Sequence, residues 1–144
     1  MALLHGQQDR GELADRLFGK AAELLPESHL PLAYRGELKR RKGDLEGALH
    51  DYRLALDRSP SSAATAARLL HLCAKLPDSP AAGHFLERWS SSDMRRQISL
   101  VNEGAEAACE LLDALLELDR GEEAERMLDQ VRGLYPHLSE LDYL

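Results

Sequence analysis

One feature of this sequence constrains its fold more than any other: four residue types recur after 34 positions. A small residue is followed by an aromatic residue, then an alanine, then a proline, at identical spacings in both copies. The copies are Ala14, Phe18, Ala21, Pro26 and Ala48, Tyr52, Ala55, Pro60. Spacings of three and four put the first three on one helix face, and proline cannot extend a helix. A fixed period predicts stacked helical units.

A second duplication extends the repeat toward the C-terminus. Residues 9–12 read Asp-Arg-Gly-Glu, and so do residues 119–122. Aligning the two predicts a further copy that ends at Pro136. In both, Asp is followed by Glu three residues later, as in a helix-start capping box, so each is expected to begin a helix. Pro136 follows Pro60 by 76 positions, which is two repeats of 34 plus eight, so one further repeat with about eight extra residues is expected between them.

The composition indicates that all regular elements are helices. Aromatic residues make up 5% of the chain, Leu and Ala dominate the apolar content, and β-branched residues are scarce, which favours helices. The insertion is expected within 90–104, where 94–101 forms either a short extra helix or an extension of the next one. Helices are predicted at 1–7, 10–24, 29–42, 45–57, 63–75, 80–89, 104–118 and 121–133, with a possible tail helix at 138–143.

The most regular segment resembles the tetratricopeptide repeat (TPR) family. It contains Leu32, Arg35, Gly36, Lys39, Gly43, Asp44, Ala48, Tyr52, Ala55 and Pro60, close to the small, aromatic and proline signature of that 34-residue unit. The small residues Gly36 and Ala48 are expected where two helices of one hairpin cross. Arg35 and Lys39 replace an expected Leu and aromatic residue. They either loosen the hairpin core or lie against a neighbour through their aliphatic stems.

The resemblance implies an all-α, right-handed superhelical stack of antiparallel helix pairs, a TPR-like α-solenoid. It implies one domain over 1–144, with repeats at about 1–28 (truncated), 29–62, 63–96 (degenerate) and 105–138. The chain is expected to be a fragment of a longer array. In this family the first helix of each pair lines a concave groove. The groove candidates here are Tyr34, Glu37, Arg40, Arg41, Arg68, His71, Lys75, Glu110, Asp113 and Glu117.

The groove candidates change from basic to acidic along the stack, which favours a partner with the opposite gradient. The other interpretation is that these charges are solvated helix faces. The expected function is a scaffold that binds a protein or peptide partner. One alternative is a self-assembly module that uses an exposed N-terminal flank of Leu3, Leu4, Leu13 and Leu17. Another is an accessory module of a larger multidomain protein, either an enzyme or secretion or assembly machinery.

Several function classes are disfavoured by residue content. A net charge of −7 opposes nucleic-acid binding. There is no His-x3-His, no Cys-x2-Cys and no Gly-rich phosphate loop, so no metal, cofactor or catalytic residue is predicted and the chain is not expected to be an enzyme. Cys73, Cys109 and Trp89 are interpreted as core residues. With no long apolar run and no signal-type N-terminus, membrane insertion is not expected and a cytoplasmic location is favoured.

Overall fold

A computed structural model describes the backbone of residues 2–91, 94–99 and 104–134, and the side chains of 11–91, 94–99 and 104–129. Every regular element in these ranges is a helix, and the only strand-like pairing is a single parallel bridge between Ser62 and Ser99. The protein is therefore all-α, as predicted. The helices are α1 (Ala2–Leu24), α2 (Leu30–Arg41), α3 (Leu45–Arg58), α4 (Ala63–Lys75), α5 (Pro80–Ser91), α6 (Met94–Gln97), α7 (Gly104–Glu117) and α8 (Gly121–Leu134).

The predicted helix bounds hold for six helices, each to within two residues. The N-terminal prediction was wrong: the helices expected at 1–7 and 10–24 form one continuous α1. Residues 9–12 therefore lie inside a helix and do not begin one. Within the insertion, the short extra helix is the alternative that occurs, as α6. The possible tail helix at 138–143 lies outside the described residues.

Helices α2 and α3 form an antiparallel hairpin with a well-defined turn. Gly43 has φ +88°, a left-handed conformation that costs glycine little. Its N–H donates to the Arg40 carbonyl (3.0 Å), and the Asp44 N–H donates to the Lys39 carbonyl (2.9 Å). This pair of bonds ends α2 by satisfying its last carbonyls. Asp44 then caps α3, because its carboxylate accepts from the Gly47 N–H at 3.0 Å.

The interior of this hairpin is close-packed and contains a buried charge. A Cβ at Gly36 would lie 3.3 Å from the Asp51 Cβ and from the Tyr52 ring, which explains the glycine at the crossing. Asp51 is fully buried and binds Arg35 (2.8 Å) and Lys39 (3.0 Å). The two cations at unexpected positions thus neither loosen the core nor act only through their stems. They neutralise a carboxylate inside it.

Beyond this hairpin the packing is less regular. Helix α4 packs against α3 and along α7, with α5 set more loosely against it. Before the two helices begin, the Ser99 N–H donates to the Ser61 carbonyl (3.0 Å). Near their C-terminal ends His71 contacts Glu117. Contacts at both ends mean that α4 and α7 run parallel.

Helices α5, α6 and α8 meet around a nearly buried carboxylate. Trp89, which is fully buried against Phe85, donates its indole N–H to Glu123 Oε1 at 2.7 Å. Arg95 of α6 binds the same oxygen at 3.1 Å, and Arg120 reaches the other oxygen at 3.4 Å. Trp89 is therefore a core residue, as interpreted. Glu123 fastens the inserted segment to the start of α8.

The two cysteines differ in environment. The prediction of a core residue is confirmed for Cys73 and wrong for Cys109. Cys73 is buried, and burial raises the pKa of its thiol to about 12, which keeps it protonated and unreactive at neutral pH. Cys109 is exposed on α7. In the part of the chain that the structure describes, no helix is long and apolar enough to cross a bilayer.

Candidate functional site

Helices α2, α4 and α7 together line a cavity of about 330 Å³, here called the central groove. Six of the ten groove candidates line it, from three helices that are far apart in sequence. They are accompanied by one apolar residue. The lining residues are Glu37, Arg40, Arg68, His71, Leu72, Lys75 and Glu110.

The other four groove candidates lie outside this lining. Three of them contact it: Arg41 reaches Glu37 at 3.2 Å, and Asp113 and Glu117 approach His71. Tyr34 is exposed on α2 and stacks on Phe18 of α1, with ring centroids 5.9 Å apart. Its side chain is thus directed to α1, away from the cluster that the other nine form.

Glu37 is a fixed anion at the α2 side of the groove. Arg40 donates two hydrogen bonds to it, at 2.6 and 2.9 Å, and the Tyr52 hydroxyl donates a third at 2.9 Å. Bonding to Arg40 is the main reason that the pKa of Glu37 falls to about 2, and the Tyr52 bond adds to it. Burial, and then the Glu37 carboxylate, raise the pKa of Tyr52. Because Glu37 is held by its own neighbours, it is not available to a ligand.

The two cations of α4 differ from Glu37 in having no ionic partner among the described residues. None of the ion pairs in these residues involves Arg68 or Lys75. Both side chains are exposed and line the groove two helical turns apart. The facing residue on α7 is Glu110, which is half-buried. The groove therefore has cations on α4 that a ligand can pair with, opposite a carboxylate on α7.

His71 of α4 lies beside two carboxylates of α7. Its Nδ1 lies 2.8 Å from Glu117 Oε2, and its Nε2 lies 3.8 Å from Asp113 Oδ2. The imidazole is half-buried between α4 and α7 and faces a carboxylate at each ring nitrogen. In the described residues, these three form the single group of His, Cys, Asp and Glu side chains close enough to share one metal ion.

Two buried carboxylates, Asp51 and Glu123, were not predicted from the sequence. For Asp51 the signal was present in the unexpected cations Arg35 and Lys39, which lie on the facing helix. For Glu123 there was none, because Arg95 comes from the irregular insertion.

No family model matches the sequence, and no curated protein matches it significantly. The functional argument therefore rests on the geometry of the groove itself.

Proposed function

We propose that this chain is a TPR-like protein-interaction scaffold whose central groove binds an extended segment of a partner protein. Six of the predicted groove residues, which come from three helices, line one cavity, and this supports the proposal. The antiparallel α2–α3 hairpin and the parallel run of α4 and α7 are the contacts expected in a stack of helix pairs.

The charges that line the groove indicate which side chains a partner would place there. Arg68 and Lys75 of α4 make no ion pair with the described residues, so the segment is expected to place an acidic side chain there. Across the groove, Glu110 favours a basic side chain beside α7. A partner with both charges in this order binds in one orientation, because reversing it would bring like charges together.

The test begins with a random peptide library displayed against the immobilised full chain. The affinity of each peptide that binds is measured in solution for the wild type and for an Arg68→Glu/Lys75→Glu variant. The matched control is Arg16→Glu/Lys20→Glu, which makes the same charge change at exposed positions of α1. The proposal expects acidic peptides whose affinity falls at least about tenfold, or about 1.4 kcal/mol, in the α4 variant alone. Equal losses in both variants would mean that only net charge matters.

A second candidate function, self-assembly, is favoured by the apolar surface of α1. Leu17 is 57% exposed and Leu24 is 71% exposed, and Leu13 is also exposed. Leu3 and Leu4 of the predicted flank lie among side chains that are not described. Exposed leucines on one element favour burial against another surface. Light scattering over a range of concentrations tests this idea: a monomer throughout would contradict it, and a dimer abolished by Leu17→Glu/Leu24→Glu would support it.

A further inference from the structure

We propose that His71, Asp113 and Glu117 form a binding site for one divalent transition-metal ion of the zinc class. One ligand atom from each side chain lies within 4.8 Å of the other two. The site does not depend on the partner proposed above, because its residues come from this chain alone. It would link α4 to α7 at the C-terminal end of the central groove.

The spacing of the donor atoms suits coordination to a common ion. His71 Nδ1 and Glu117 Oε2 are 2.8 Å apart, and ligands about 2.0–2.2 Å from one zinc ion lie roughly that far apart or slightly farther. Asp113 is exposed, so its carboxylate can rotate toward the ion without moving the backbone. Glu117 follows Asp113 by one turn, which places both on the same face of α7.

The two carboxylates lie at different ring nitrogens of His71, with Glu117 at Nδ1 (2.8 Å) and Asp113 at Nε2 (3.8 Å). One ion can bind only one of these nitrogens. An ion held by Nδ1 and Glu117 therefore gains its third protein ligand when the exposed Asp113 side chain turns toward it from Nε2.

The ligand types select the metal. One imidazole and two carboxylates suit Zn²⁺ and its neighbours in the first transition series, whereas Ca²⁺ and Mg²⁺ prefer oxygen ligands alone. Three protein ligands leave a fourth position for water or a side chain of another molecule. Lys75 follows His71 by one turn and lines the same groove. Its charge opposes a cation, so the site is expected to be weaker than a closed structural zinc site.

This site was not predicted from the sequence because its ligands come from two helices. A search for paired ligands along one helix, such as His-x3-His, cannot find donors separated by the 42 positions from His71 to Asp113. Only the packing of α4 along α7 brings them together.

The experiment is calorimetric titration of the full chain with zinc chloride. It is done in a Cys109→Ser background, because Cys109 is exposed one turn before Asp113 and its thiol is itself a zinc ligand. We expect one zinc ion per chain. His71→Gln should weaken binding at least about tenfold, or about 1.4 kcal/mol. The matched control is His50→Gln, which removes an exposed histidine of α3 and should leave binding unchanged.

Two further measurements test the site even if His71→Gln does not fold. Glu117→Gln changes an exposed residue and should also weaken zinc binding, with circular dichroism confirming that the helices remain. Zinc should raise the Tm of the parent, because it binds the folded arrangement of α4 and α7, but should not raise the Tm of His71→Gln. Absence of zinc binding in the parent, or parent-like affinity in both His71→Gln and Glu117→Gln, would overturn the proposal.

Discussion

Two buried carboxylates lie where helices meet, and their surroundings differ. Asp51 is fully buried within the α2–α3 hairpin, where two cations from the facing helix neutralise it. Glu123 keeps 8% of its surface and joins three separate helices through Trp89, Arg95 and Arg120. The first belongs to the regular repeat and fixes the crossing of neighbouring helices. The second belongs to the irregular region and fastens an insertion.

The regular hairpin and the irregular region around Glu123 balance their buried charges with different residues. In the hairpin, small residues allow a close approach and the charge is balanced within a single pair of helices. Around Glu123, the large side chains Phe85 and Trp89 fill the space, and one of the balancing charges comes from outside the repeat. We therefore expect the hairpin to be the more sensitive of the two regions to substitution.

The largest effect is expected for Asp51→Ala. It leaves Arg35 and Lys39 partly buried without their buried partner, and the exposed Asp15 carboxylate, 3.9 Å from Lys39, compensates little. Breaking a buried ion pair costs about 3 kcal/mol or more. Urea unfolding followed by circular dichroism measures the loss. A loss under about 1 kcal/mol would show that water reaches the two cations freely, and that the hairpin is not the more sensitive region.

The next effect is expected for Ala48→Leu. Ala48 is fully buried where α3 crosses α2, and added side-chain volume in a packed core costs about 1–3 kcal/mol. The matched control is Ala105→Leu, which adds the same atoms at an exposed position of α7 and should change the free energy of unfolding little. Equal effects in the two variants would contradict a close crossing at Ala48.

A smaller loss, about 1 kcal/mol, is expected for Glu123→Gln. The amide oxygen still accepts from the Trp89 indole, but the charge that balances Arg95 and Arg120 is removed. Glu122→Gln is the control, since Glu122 is exposed one position earlier. If Glu123→Gln were more destabilising than Asp51→Ala, the order of the two regions would be reversed.

The smallest effect, under about 1 kcal/mol at neutral pH, is expected for Glu37→Gln. The pKa of Glu37 is lowered from 4.5 to about 2 in the folded chain. Its contribution to stability is therefore complete above about pH 4.5 and is lost as the pH falls through 2. The difference in Tm between wild type and variant should shrink over that range. A difference that grows on acidification would contradict the assignment, and Glu46→Gln, at an exposed position of α3, is the control.

The bounds of six helices could be predicted because helix bounds depend on local signals. The predicted start of α3 was correct because Asp44 caps that helix, and Gly43 supplies the left-handed turn before it. Residues 9–12 show the limit of local signals. The second copy of that tetrapeptide lies at a helix boundary, where Asp119 has φ 59° and its N–H donates to the Leu116 carbonyl. The first copy lies within α1.

Six of the ten predicted groove residues line one cavity, but the contacts among them were not predicted. The repeat register places Glu37 and His71 at equivalent positions of α2 and α4, and Arg68 and Glu110 at equivalent positions of α4 and α7. The bond from Tyr52 to Glu37 and the approach of His71 to Glu117 depend on how helices rotate against each other. No spacing within one helix encodes that rotation.

The most direct test of the central claim is amide chemical-shift mapping of the ¹⁵N-labelled chain with a peptide obtained by the selection described above. A partner that occupies the central groove should shift amides of α2, α4 and α7 most, around Arg40, His71 and Glu110. Shifts confined to α1 or α8 would contradict the proposal that this groove is the binding surface.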